Sequence, residues 1–383
     1  MARQLVIDCD VHTMEPMDLW EKHLPEPWRS KTRIVPIPPK DGQMEQAGLE
    51  VEIDGQHWPL YRSGDIELVA SQSRRRMAES PELAKATLAP TPELYLEALD
   101  KEGIDIAVLM PTFCFFLVRV DGIDPRHALA MCRVYNDYAY EFCQKNPQRL
   151  KFWAWVPPHD PHLAAEEARR CVRELGAVGV AMSKGAVNGK LLSDEFFYPL
   201  WEEIERLDVP FGLHGLSGGD LLADNIARRY HRHERTGLIL HSLLAPFYAH
   251  ASVAELILGG VLERFPKMKV LLMESDVGWV PWLLQRMDEK WETYGPDLDY
   301  SLPLKPSDYF KRQCYMVMEP EDDLVNTVID RLGDKHLLFS GDYPHHDSAW
   351  PYAVSNILDR QDMSAETKHN ILWENGRRFF GWD

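Results

Sequence analysis

Short apolar runs recur along the chain at Leu5–Cys9, Ile104–Met110, Lys151–Val156, Ala177–Met182, Val209–His214, Lys269–Glu274, Gln313–Met318 and His336–Ser340. Between and after them lie segments whose apolar positions repeat at helical spacing: Glu93–Glu102, His127–Gln144, His162–Leu175, Asp194–Leu207, Val253–Phe265, Val280–Thr293, Pro320–Leu332 and Ala365–Phe380. A strand that is apolar throughout is buried on both faces, as in a parallel sheet covered by helices. Eight strand–helix units predict an α/β fold, a (β/α)8 TIM barrel occupying residues 1–383 as one domain.

Two stretches break the alternation. From Met14 to Pro90 the chain carries Pro25, Pro27, Pro36, Pro38 and Pro39, then an Asp54–Gly55 turn between short alternating runs, the signature of a hairpin. The spacing predicts an excursion over residues 14–90, packed across the barrel mouth. From Gly215 to Ala251 a second long loop begins Ser217-Gly218-Gly219 and holds the basic run Arg228 to Arg235, then His250. Segments this long in a compact domain act as lids or binding elements.

Composition narrows the partners. The 383 residues hold 42 Lys+Arg against 60 Asp+Glu, a formal charge of -18, which argues against nucleic acid or an anionic membrane surface as partner. The best apolar run, Ile106–Val118, is broken by Pro111 and falls short of the ~20 residues a membrane span needs. Six scattered cysteines without a CxxC pair, and an N-terminus too polar for a signal peptide, predict reduced thiols in a cytoplasmic protein. The expected partner is a small molecule, and the expected assembly a homo-oligomer, in the first instance a dimer.

Barrels of this type place their chemistry at the C-terminal ends of strands. The first strand ends Asp8-Cys9-Asp10-Val11-His12, so Asp10 and His12, two apart on extended backbone, point the same way. The fifth strand ends in His214, the sixth in Glu274 and the eighth at Asp342. Imidazoles and carboxylates converging from separate strands predict a site for one divalent metal ion, Zn or Mn. Glu15 follows the pair as a supporting residue or a helix entry. His250 and one of His345 and His346 are candidates to contact substrate, although adjacent loop histidines are more often solvated.

The segments IDCDVHTMEPMDLW, GAVGV, DEFFYPLWEEIERLDVPFGLHG, GGVLERFPKMKVLLMESDVGWVPWLLQRMDE, FSGDYPHHD and ILWENGRRFFGW span Ile7 to Trp382. They resemble the amidohydrolase superfamily, and within it the amidohydrolase 2 branch that includes decarboxylases of aminocarboxymuconate semialdehyde and γ-resorcylate. The resemblance implies that Asp10, His12, His214 and Asp342 hold a single metal, and that Asp342 also moves the proton of a metal-activated water. Glu274 stands where the branch's decarboxylases carry a catalytic histidine, so here it is expected to orient water or hydrogen-bond His214. Lys184 lies near the bridging lysine of binuclear members of the superfamily; in a mononuclear branch a surface or anion-binding role is expected.

The leading expectation is therefore a metal-dependent hydrolase acting on a carbonyl centre of a small aromatic or carboxylated molecule. The alternatives are non-oxidative decarboxylation of an aromatic or enoic acid, and a non-catalytic metal- or ligand-binding barrel.

Overall fold

The structure, a computed structural model, describes residues 3–16, 18–37, 48–53, 55–59, 75–118, 121–215, 236–297 and 302–382. Eleven strands are β1 (Ile7–Thr13), β2 (Thr32–Ile37), β3 (Gly48–Ile53), β4 (Gln56–Pro59), β5 (Ile106–Pro111), β6 (Leu150–Trp155), β7 (Gly179–Ser183), β8 (Phe211–His214), β9 (Val270–Leu272), β10 (Cys314–Met318) and β11 (Leu337–Phe339). Eight of them form one parallel sheet in the order β1-β5-β6-β7-β8-β9-β10-β11. Helices cover the outside and β11 returns beside β1, so the sheet rolls into the expected (β/α)8 barrel.

The seam between β1 and β11 is closed differently from the other strand pairs. Backbone contact there comes from His12 N–H, which donates to Tyr343 O at 2.8 Å. Around it, Ser340 Oγ donates to Asp10 O at 3.2 Å and Gly341 N–H donates to Asp8 Oδ2 at 2.9 Å. The other oxygen of Asp8 accepts Asp10 N–H at 3.1 Å, across a register shift in β1 between Asp8 and Val11. A side chain at Gly341 would bring its Cβ to 2.9 Å from Asp8 Oδ2, so glycine is what permits this approach. β1 extends past the expected Cys9 to Thr13, and Asp10 and His12 lie inside the strand.

Helices of the outer ring start where a capping residue precedes proline. Ser80-Pro81, Thr91-Pro92, Asp124-Pro125 and Asp160-Pro161 each put a side-chain oxygen on a first-turn N–H and a proline where no N–H is missed. The periodicity alone, reading from Glu93, His127 and His162, began these helices a residue or two late.

Helix Pro125–Cys143 is tied to helix Pro161–Arg170 by Glu167. Its buried carboxylate accepts from Arg133 Nε (3.0 Å), Arg170 Nε (2.9 Å) and Nη2 (2.7 Å), and Asn136 Nδ2 (2.8 Å). Asn136 in turn pairs with the backbone of Trp155 at the end of β6, donating to its carbonyl and accepting from its N–H.

The Met14–Pro90 excursion contains helix Leu19–His23, a three-stranded antiparallel sheet β2-β3-β4 and helix Pro81–Leu88. β3 and β4 pair with Ile53 opposite Gln56, the expected hairpin; Asp54, Pro38 and Pro39 lie outside the described residues. Arg76 of this excursion donates to the carbonyls of His346, Ser348 and Trp350 at 3.0–3.1 Å, clasping the loop that follows β11. The second expected loop, Gly215–Ala251, is corrected over its latter part: residues 236–251 belong to helix Thr236–Leu258. That segment is apolar on nearly every face and contains Pro246, so it shows no amphipathic period to read. The Ser217-Gly218-Gly219 start and the basic run from Arg228 to Arg235 lie outside the described residues. Among the described residues no helix is long and apolar enough to cross a membrane.

Burial acts to raise the Glu167 carboxyl, but the hydrogen bonds from Arg170 and Asn136 overcome it and hold the group below its usual value. A depressed acid stabilises the fold above the unfolded value of roughly 4.3, and this contribution is lost as pH falls through the folded value. Glu167→Ala is expected to cost about 3 kcal/mol at pH 7, near the low end for a broken buried ion pair because both arginines keep contact with water. Urea unfolding at pH 7 and pH 3.5 checks this: the difference between the variant and the parent should be smaller at the second pH than at the first.

Candidate metal centre

At the C-terminal mouth of the barrel, β1 supplies Asp10 and His12 and β8 supplies His214, all three buried. Asp342, three residues past β11, enters from the other side of the seam at a left-handed φ of 52°. His12 Nε2 lies 3.0 Å from His214 Nε2, 3.7 Å from Asp10 Oδ1 and 3.6 Å from Asp342 Oδ1. His214 Nε2 lies 3.4 Å from Asp10 Oδ1 and 3.7 Å from Glu274 Oε2. Among the described residues the close groups of ligand atoms are Asp10–His12–His214 and His12–Asp342–His345, which share His12.

The donor set fits a cation. His12 Nδ1 faces the Pro111 carbonyl at 3.1 Å, which can only accept, so Nδ1 carries the proton and Nε2 a lone pair. Burial lowers both imidazoles well below their ordinary value, helped at His12 by His345 and at His214 by Lys184, so both are neutral, as a metal ligand must be. Asp10 Oδ1 is buried without a hydrogen-bond partner among the described residues. Burial raises Asp10, and the charges of Asp342, Glu274 and Asp8 raise it further. Bonds of about 2.0–2.2 Å to one ion set neighbouring ligand atoms roughly 3–3.6 Å apart, close to the separations found here.

Asp342 is joined to His345, whose Nδ1 lies 3.0 and 3.1 Å from its two oxygens. Burial pushes the Asp342 carboxyl above the carboxylate range against the pull of His345. Burial acts to lower His345, and the facing carboxylate overrides it and raises the imidazole. The ring of His345 lies 3.9 Å from that of His12, and its Nε2 is 3.3 Å from Thr112 Oγ1. His345 is thus drawn into the cluster, not solvated.

Other expected residues sit differently. Glu274, just beyond β9, has a left-handed φ of 48° and aims its carboxylate at His214. Lys184 is no surface residue: it is fully buried at the end of β7, and its ammonium donates to Met273 O at 2.7 Å and Glu274 O at 2.8 Å. Burial lowers it to about 8 although Glu274 and Asp10 act to raise it. With two donors engaged on carbonyls, it is not displayed as an anion receptor. His250, on helix Thr236–Leu258, packs its ring at a tilt against Trp279 at 4.4 Å and lies near Trp282.

Glu15, read from the sequence as a supporting residue or a helix entry, and two residues the sequence did not single out, Asp8 and Arg76, complete the mouth. Glu15 is second to the site: its carboxylate accepts three consecutive backbone N–H groups, Thr112, Phe113 and Cys114, at 3.0–3.1 Å, and so shapes the turn after β5. Burial pushes it up to about 7 in spite of those bonds. Asp8 closes the seam, and Arg76 fixes the loop that carries His345. Asp8 lies within the first motif and Arg76 outside any motif, and both act on backbone far along the chain.

The amidohydrolase family profile matches residues 7–382. The γ-resorcylate decarboxylase of Rhodococcus jostii is 30% identical over 296 residues, covering 71% of this chain and 84% of that protein. The 2-amino-3-carboxymuconate-6-semialdehyde decarboxylase of Dictyostelium discoideum is 24% identical over 301 residues, covering 76% and 77%. Among solved structures, a dihydroxybenzoic acid decarboxylase of Polaromonas, crystallised with manganese and 2-nitroresorcinol, superposes with a TM-score of 0.65 at 21% identity, covering 100% of this chain and 97% of that one.

Elemental analysis of the purified protein should find about one divalent ion per chain. His214→Ala should lose most of it, because it deletes an imidazole without touching the barrel core. Chelation should lower the melting temperature, since an ion bound to the folded state alone stabilises it by mass action. A metal-free preparation whose stability and activity ignore chelator would remove this site.

Proposed function

The chain belongs to the amidohydrolase family and is an enzyme, and from that premise we propose that it removes carbon dioxide, without oxidation, from a small aromatic acid. Asp10, His12, His214 and Asp342 would hold one divalent ion, Mn or Zn. When bound, that ion supplies positive charge that fixes the substrate's carboxylate and a neighbouring oxygen and draws electron density toward them. One observation carries the proposal. Asp342 stands 3.6 Å from His12 Nε2 and 3.0 Å from His345 Nδ1, so one carboxyl can face the reacting carbon and exchange a proton behind it.

The residues divide the work as follows. Asp342 delivers its proton to the ring carbon that bears the carboxylate. The carbon–carbon bond then breaks, its electron pair returns to the ring, and carbon dioxide leaves. His345 replaces the proton on Asp342 and is itself replenished from solvent. Phe115, its ring 5.7 Å from that of His214, offers an apolar wall for a flat substrate and keeps water from the imidazole. The decarboxylases among the relatives support this reading over hydrolysis, which was the leading expectation from the residues.

Hydrolysis keeps one observation in its favour: Glu274, a carboxylate 3.7 Å from His214 Nε2, is well placed to orient a water. Incubation with a panel of hydroxybenzoic acids, following carbon dioxide release, separates the two. Decarboxylation of at least one acid is expected, and turnover of esters or lactones with no carbon dioxide from any acid would replace it by hydrolysis. Asp342→Asn, reloaded to parental metal content, should lose about 10²–10⁴-fold in kcat, the usual worth of general acid–base catalysis. A fully metallated variant that keeps the parental rate would move the proton transfer elsewhere.

A further inference from the structure

Beyond β9 the chain turns sharply through Glu274 and Asp276, two non-glycine residues at φ 48° and 52°. Left-handed backbone is unfavourable for a residue with a Cβ, so something must hold this turn. Its polar groups are secured by side chains from elsewhere. Lys184 Nζ takes the carbonyls of Met273 and Glu274. The indole of Trp279 donates to the carbonyls of Ser275 and Asp276 at 2.7 and 3.0 Å. Asp322 Oδ1 accepts Val277 N–H at 3.4 Å and its Oδ2 accepts Glu319 N–H at 3.1 Å.

Lys184 differs from the other two because it also touches β8. Its own backbone N–H donates to the carbonyl of His214 at 3.2 Å. One residue therefore grips both the strand that carries the imidazole and the turn that carries the carboxylate facing it. Among the described residues it is the lysine that is fully buried, an expensive place for an ammonium unless its position matters.

We propose that Lys184 is a positioning residue that sets Glu274 against His214, and through that pair tunes the cation affinity of the centre. The assignment rests on the metal-site part of the proposed function and is independent of the reaction class. Removing the ammonium has two opposed consequences. It relieves a positive charge near the cation, which alone would tighten binding, and it frees the Glu274 peptide, which would loosen it by letting the carboxylate leave His214. Residues that orient a ligand typically change metal affinity 10–100-fold. The sign of the change therefore identifies the role.

The test measures Co2+ affinity by chelator competition, and the visible d–d spectrum of the Co2+ form, for the parent, Lys184→Met, Glu274→Gln and the double variant. Lys184→Met is expected to weaken Co2+ binding about 10-fold and to perturb the spectrum as Glu274→Gln does. Added to Glu274→Gln, it should cost no further affinity. Tighter binding in Lys184→Met, or losses that multiply in the double variant, would overturn the proposal in favour of a purely electrostatic or a general structural role. If the Met variant does not fold, Lys184→Arg, which keeps charge and donors on a longer arm, carries the same comparison. It should show a smaller loss that is likewise absent in the Glu274→Gln background, and an undiminished affinity would overturn the proposal. Because the readout is metal binding, absence of carbon dioxide release would fault the reaction class and leave this result standing. A parent that binds no Co2+ would overturn the metal site and the Lys184 role together.

Discussion

The barrel closes on a buried carboxylate. Between β1 and the turn that follows β11, the backbone bond from His12 to Tyr343 is joined by the side chain of Asp8, which holds Gly341 N–H with one oxygen and Asp10 N–H with the other. An unpaired buried N–H costs about 1–3 kcal/mol, so both ends of this clasp are worth keeping. Its consequence is geometric. Asp8 fixes the shifted register of β1 immediately before Asp10 and His12, and fixes Gly341, the second residue after β11, immediately before Asp342. Three of the four expected ligands are therefore set by one seam, and His214, four strands from β1 in the sheet order, comes in across the barrel to meet them.

What the seam assembles is electrostatically incomplete by itself. Asp8, Asp10, Asp342, Glu319 and Glu15 are all raised, chiefly by burial, while the two imidazoles that could neutralise them are held neutral. Protonating the histidines would satisfy the carboxylates but crowd positive charge beside His345 and Lys184. Protonating the acids would leave lone pairs of His12 and His214 opposed at 3.0 Å. A divalent cation resolves both conflicts together, because it takes the lone pairs and the carboxylate charge at the same point. The same cluster in its metal-free form would be a cost to folding, and the surrounding clasps at Asp8, Glu15 and Lys184 are what such a cost requires.

Much of this was legible in the residue order. Eight apolar runs became eight barrel strands because a strand buried on both faces must be apolar throughout, and Asp10, His12, His214, Glu274 and Asp342 meet because strand ends in such a barrel share one mouth. Helix starts were misplaced where proline and its capping residue, not the apolar period, decide the first turn. Residues 236–251 of helix Thr236–Leu258 read as loop because a helix apolar on nearly every face has no polar stripe to mark it. Lys184, Asp8, Glu15 and Arg76 work by hydrogen bonds to backbone 90, 333, 97 to 99 and 270 to 274 residues away. A backbone donor or acceptor leaves no trace in residue identity, so no pattern of side chains could have paired them.

The exchange of histidine for Glu274 at the end of β9 is best understood together with His345. The resemblance places an imidazole on the sixth strand, and here that place holds a carboxylate, yet the mouth still contains an imidazole in contact with Asp342. It comes from the loop after β11, three residues beyond Asp342 itself, and is held by Thr112 and by stacking on His12. An imidazole on the same loop as the acid keeps a positively charged partner beside the Asp342 carboxyl. It also frees the sixth strand to contribute negative charge beside His214, with Lys184 bound to the backbone of the same turn. The loop that carries His345 is fastened in turn by Arg76, which reaches from the excursion to three of its carbonyls. The excursion therefore bears on the pair at the mouth, through the loop that holds His345 3.0 Å from Asp342.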